Sequence, residues 1–271
     1  MPISSTFSVS KKGFSAIFIL VGVALILFGA FFLFNKQKNP QSGSSENEGI
    51  RIRKSVQNLD EPPLKLKSIG VELGEYDLSS GKAGDFVFTR EKLQFNRLFM
   101  DYGFFIPASS ASADKKNPQP TFILPLGTPV RSLVDGIVAE MPTLWSGDIS
   151  IQVTNSGKLE RWVYEVEHVI NPKVKVGDKV TAGQIIAEVG DFDNGSPAGF
   201  GAVEIGILHG GGEGPPEHVC PFAYLDESIK DEMQKKITGF FKSWEDYAGD
   251  NTLYDESLST PGCLTLDPIE G

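Results

Sequence analysis

The chain has 271 residues, 40% of them apolar and 22% charged, which fits a folded protein of one or two domains and excludes a disordered one. The formal net charge is −10, and residues 1–38 hold four lysines (Lys11, Lys12, Lys36, Lys38) and no acid. The remainder carries 21 basic against 35 acidic side chains, a net charge of −14, which repels phosphate backbones and anionic headgroups, so no nucleic-acid partner is expected.

Residues 1–13 read as a short N-terminal stub. Phe14 to Phe34, FSAIFILVGVALILFGAFFLF, is an uncharged run of 21 residues. At about 1.5 Å per helical residue it reaches roughly 30 Å, the hydrocarbon thickness of a bilayer. A cleaved leader would have an apolar stretch of about 7–15 residues ending in small side chains. This run is longer and ends in FFLFNKQKN. The expectation is an uncleaved transmembrane helix over 14–34 and a single-pass membrane protein. Lysines flank both ends, so they barely bias orientation. The short stub and long acidic body favour an extracytoplasmic body. Residues 35–64 are polar with Pro, Gly and Ser and read as a flexible tether.

Residues 65–97 turn strand-like and predict a small β extension. The stretch SIGVELGEYDL alternates, and SSGKAGDF supplies a turn before FVFT. Residues 109–121 are a polar surface loop. Beyond it, FILPLGTPVRSLVDGIVAEM, GDISIQVTN and RWVYEVEHV give short strands with turn signals, the DG at 135–136 marking one turn. Strict alternation puts Trp162, Tyr164, Val166 and His168 on one side of their strand. The segments GTPVRSLVDGIVAE (127–140) and GDKVTAGQIIAE (177–188) form a weak internal repeat, which suggests two similar β units facing each other. From Asp226 the period changes. Ile229, Met233, Ile237, Phe240, Phe241 and Trp244 share one helix face, with Asp226 a plausible N-cap and Gly249 a stop. The C-terminal helix and tail fill 227–271. The fold class is therefore mainly β, a compact antiparallel sandwich or barrel with one C-terminal amphipathic helix.

Two cysteines, Cys220 and Cys263, would pair in an exported body, tying the tail down. The other reading is two unrelated buried thiols. A zinc site built on them lacks the paired spacing.

Over residues 98–226 the segments FILPLGTPVRSLVDGIVAE, VYEVEHVINPKVKVGDKVTAGQIIAEVG, GAVEIGIL and HVCPFAYLD resemble, in that order, the lysostaphin-type (M23 or LytM) zinc peptidases. That resemblance implies a compact antiparallel fold built on a duplicated hybrid motif, a barrel-sandwich arrangement, and a peptidase that cuts peptidoglycan cross-bridges. It also implies a metal site made from a first His and Asp plus the second His of a His-x-His strand. In such a site zinc lowers the pKa of bound water toward about 7 and polarises the amide. His168 matches the family's auxiliary histidine, nine residues ahead of Gly177. The first His and Asp positions fall on Asp101 and Phe105. The His-x-His positions fall on Ala202 and Glu204, with Val203 and Ile205 facing the core. Every expected zinc ligand has changed type.

Asp101, His168 and Glu204 are therefore the candidate metal and catalytic residues for a re-invented divalent site. The blander reading is a strand-end histidine bonded to a carboxylate and an ordinary strand glutamate. His209 and His218 read as loop residues. The expectation is an inactive, membrane-anchored peptidase-like module that needs no cofactor and binds a cell-envelope glycan, peptide or partner protein. The alternative is a metal-dependent cell-wall endopeptidase on an unorthodox Asp/His/Glu site. A lipoyl- or biotin-carrier role would need a lysine at an exposed turn, and neither LVDGIV nor TAGQ has one.

Overall fold

The computed structural model describes residues 61–108, 113–192, 196–210 and 215–270. The expected transmembrane run 14–34, the stub and most of the tether lie outside them. Among the described residues no helix is long and apolar enough to cross a membrane.

In chain order the strands are β1 (Lys82–Ala83), β2 (Phe86–Val87), β3 (Phe99–Met100), β4 (Phe105–Ile106), β5 (Lys115–Lys116), β6 (Thr121–Pro125), β7 (Pro129–Arg131) and β8 (Gly136–Glu140). There follow β9 (Ile149–Thr154), β10 (Trp162–Ile170), β11 (Lys179–Val180), β12 (Ile185–Val189), β13 (Phe200–His209) and β14 (Glu217–Val219). Helix α1 (Lys230–Ala248) and β15 (Ile269–Glu270) complete the chain. β1–β2 and β4–β5 are separate hairpins, and the other strands form one antiparallel sheet.

The internal repeat has a direct structural counterpart. β7 and β8 come from the first copy, β11 and β12 from the second. They pair reciprocally: β7 with β12 through Val130 opposite Ala187, and β8 with β11 through Val180 opposite Gly136. Each unit thus satisfies backbone groups of the other, which neither could do alone. The DG turn at 135–136 joins strands that pair with the other unit rather than with each other.

The two longest strands, β10 and β13, pair along most of their length. Tyr164, Val166, Val203, Ile205 and Ile207 all face the core and are essentially inaccessible. The N-terminal extension shares this core. Leu66, Ile69, Val71, Phe86 and Phe88 are buried within it, and the Tyr164 hydroxyl bonds both the backbone N–H and the carbonyl of Leu64.

Helix α1 covers the aromatic side of the body. Ile237, Phe240, Phe241 and Trp244 are buried, as the periodicity predicts, while Ile229 and Met233 pack at the margin. Burying each such side chain stabilises by about 1.5–3 kcal/mol. Phe240 meets Phe86 and Phe88, and Phe241 stacks on Tyr254 at 3.9 Å. The helix ends at Gly249, whose φ of 75° favours glycine. Its start differs from expectation. The N-cap is Ile229, and Asp226 instead accepts from the Ser228 backbone one turn earlier, so that Asp231 and Glu232 supply the first-turn charge.

Cys220 and Cys263 form a disulfide that ties the chain just after β14 to the tail. The tail then returns to the sheet, β15 pairing with β14, and the Tyr102 hydroxyl sits 2.8 Å from the carbonyls of His218 and Asp267. The bridge joins positions 43 residues apart. Its reduction is expected to lower the unfolding free energy by about 4 kcal/mol through the enlarged unfolded ensemble. Denaturant melts with and without reductant measure this, and unchanged midpoints would mean that packing alone holds the tail.

Candidate functional site

On the face of β10–β13 opposite the core, register sets Glu165 across from Gly206 and Glu167 across from Glu204. Glu165 is buried. It accepts from Gln119 Nε2 at 2.8 Å, Gln152 Nε2 at 3.1 Å and Ser150 Oγ at 3.2 Å. Glycine opposite it leaves room for this amide, because a Cβ at Gly206 would stand 2.5 Å from Gln119 Nε2 and push it aside.

His168 departs from the strict alternation that would bury it beside Val166. The β9–β10 register shifts between Val166 and Val169, leaving one extra residue on β10, and His168 takes a φ of 61°. The bulge swings the imidazole to the acidic face, while Val169 still enters the core. There Nδ1 lies 2.9 Å from Asp148 Oδ2, on the loop ahead of β9, and Nε2 lies 3.9 Å from Glu204 Oε2. The ring stacks flat on Phe192, centroids 3.4 Å apart and planes within 5°.

Candidate ligand atoms of Glu167, His168 and Glu204 all lie within 4.8 Å of one another. His168 and Glu204 are therefore brought together, and Asp101 is not with them. The Asp101 carboxylate is buried and pairs with Arg97 Nη1 at 3.1 Å. Phe105 lies on the β4 hairpin, 58% exposed, and Ala202 is buried two residues before Glu204. The other histidines are strand residues rather than loop residues. His209 ends β13 and stacks on Trp162, and His218 sits buried within β14, its Nδ1 without a hydrogen bond.

Burial governs the charge states here. It raises Glu165 to about 8 and Glu204 to about 7, the Glu167 charge adding to both. Glu167 is itself raised by burial, with the Asp148 charge adding. Asp101 rises to about 6 because burial outweighs Arg97. His168 is lowered by desolvation, against the pull of Asp148.

Beside Glu204 opens a cleft of about 370 Å³. Phe95, Met100, Ile106, Ile123, Trp145, Phe192 and Ala202 line it with apolar surface, and Gln94, Lys115, Asn117, Thr121 and Glu204 supply its polar groups. Thr121 Oγ1 bonds Glu204 Oε1 at 3.2 Å. Trp145, 86% exposed, meets Phe192 edge-on at 5.8 Å.

Among solved structures, the chain is similar to M23 peptidase domains. One is a mutant catalytic domain of the prophage-encoded M23 protein EnpA from Enterococcus faecalis, with 26% identity over 45% of this chain and 88% of that one, and a TM-score of 0.33. A second is the catalytic domain of the antimicrobial peptidase lysostaphin from Staphylococcus simulans, with 21% identity over 42% and 80%, and a TM-score of 0.32. LytU gives 23% identity over 54% and 92%, with a TM-score of 0.36. No protein-family model and no curated protein matches the sequence.

Sequence reasoning missed Glu167, Asp148, Phe192 and Trp145. The alternating acids of VYEVEHV were a signal for Glu165 and Glu167 on one face. Asp148 and Phe192 come from loops that periodicity does not read.

The raised carboxylates fix a pH dependence. Their native pKa values lie above the unfolded values of about 4–4.5, so the native state holds more protons between the two. Their contribution is complete below about pH 4 and is lost as pH rises through 6–8. His218, lowered to about 4 by burial, acts oppositely, but only below its unfolded pKa of about 6.5. Between pH 6.5 and 8.5 the melting temperature is therefore expected to fall, and Glu204→Gln to flatten that slope. Thermal melts across this range check it; a rising melting temperature would contradict the assignment.

Proposed function

We propose that the chain is a membrane-anchored, catalytically inactive M23-like module that binds a cell-envelope ligand through the cleft beside Glu204. The order of the four resembling segments supports the family reading, and the reciprocal pairing of the two repeat units supports a duplicated barrel-sandwich hybrid. The anchor and extracytoplasmic body rest on the 21-residue run at 14–34 and the charge distribution.

One observation carries the inactive reading: the residues at the family's zinc positions do not form its cage. Asp101 is committed to Arg97, Phe105 has no donor and stands in solvent, and Glu204 replaces the strand histidine. Only one imidazole remains, and Phe192 covers its face. These residues do not fit the zinc of the resembled family. The scaffold itself needs no metal to bury its core.

A second reading, a metal-dependent hydrolase, draws support from the cluster of Glu167, His168 and Glu204, with Asp148 orienting the imidazole. The two readings separate in one experiment on purified full-length protein. Under the inactive reading, metal analysis finds well below one equivalent of zinc, and labelled peptidoglycan is not cleaved. One equivalent of zinc, with cleavage lost in His168→Ala, overturns that reading in favour of the second.

A further inference from the structure

We propose that the cleft beside Glu204 binds the side chain of a lysine-bearing peptide, its alkyl stem between apolar walls and its ammonium group at the Glu204 carboxylate. This deepens the noncatalytic binding role and rests on it. The shape comes first. At about 370 Å³ the cleft lies near the lower end of ligand-pocket volumes of about 300–1,000 Å³, so it suits one long side chain rather than a multi-residue segment. Trp145, Phe192, Ile106 and Ile123 are its apolar walls. A lysine carries an apolar stem and a charged head, and such stems favour apolar walls while the head seeks a polar end. Aromatic faces beside a cation add electrostatic attraction.

Charge then chooses the head group. Among the described residues Glu204 is the one acid on the lining, and Thr121 bonds its Oε1. Glu167 lies across the strand pair behind it, and Asp148 holds the far side of His168. Among the described residues Lys115, on the exposed β5 edge, is the one basic side chain on the lining, and it acts on Glu204 less strongly than Glu167 does. Burial and the Glu167 charge raise Glu204 to about 7, so an ammonium group arriving beside it favours the ionised carboxylate and pairs with it, with Lys115 as the competing cation. Ala202, where the resembled family carries a histidine, leaves the approach to Glu204 free of a bulky ring.

The test titrates N-acetyl-lysine N-methylamide and N-acetyl-norleucine N-methylamide into full-length protein, read by calorimetry and tryptophan fluorescence. The two probes differ by the ammonium group. The lysine probe is expected to bind about tenfold tighter at low salt, with the advantage shrinking as salt is raised. Glu204→Gln should abolish that preference while leaving norleucine binding unchanged. Trp145→Ala, a substitution of an exposed side chain, should weaken both probes. Lys115→Ala should strengthen the lysine probe alone. Equal affinity for the two probes, binding of neither, or a zinc equivalent that displaces the lysine probe would each overturn the inference. Peptidoglycan cleavage by the same preparation would instead overturn the noncatalytic reading, so the two failures are distinguishable.

Discussion

Everything in this molecule is arranged around the antiparallel pairing of β10 with β13. Side chains on paired strands alternate between faces, so a single register fixes two surfaces at once. One surface is the core, built from Tyr164, Val166, Val203, Ile205 and Ile207. The other is an acidic row of Glu165, Glu167 and Glu204, held in close quarters because their partners across the pair are each other and Gly206. A slip of one residue would bury the acids and expose the valines. The hydrophobic gain on one face therefore fixes the strained electrostatics of the other, where carboxylates take up protons near neutrality rather than part.

The aromatic layer connects stability to the cleft. Trp244 of α1 donates its indole N–H to the Asn96 carbonyl at 2.9 Å. Phe95 and Asn96 both have a φ of 54°, a left-handed pair that such a bond helps to hold. The same turn sets Phe95 on the wall of the cleft, where it packs on Phe104 beneath the guanidinium of Arg97. Arg97 in turn pairs with Asp101. Asp101, a candidate ligand by sequence, is instead part of the frame that shapes the cleft. The C-terminal helix, though remote from His168 in sequence, thus belongs to the architecture of the cleft.

How much of this the sequence reveals depends on the range of the interaction. The helix face of α1 is legible because its period is local and long. The repeat is legible because both copies solve the same packing problem, and their facing arrangement appears as the β7–β12 and β8–β11 pairs. Val203 and Ile205 face the core as alternation predicts. His168 does not obey alternation, because one inserted residue at a bulge reverses a side chain and leaves no mark in hydrophobic pattern. The N-cap moved for a similar reason, since the Asp226 side chain closes its own turn with Ser228. Asp148 and Phe192 meet His168 only through folding, across separations of 20 and 24 positions, and no local rule links them.

The disulfide also decides what a proteolytic cut does to the chain. Between Cys220 and Cys263 lie the whole of α1 and the acidic segment after it. A protease that cuts anywhere inside that loop produces two fragments that stay covalently joined through the bridge. A single cut there therefore releases no part of α1 from the body.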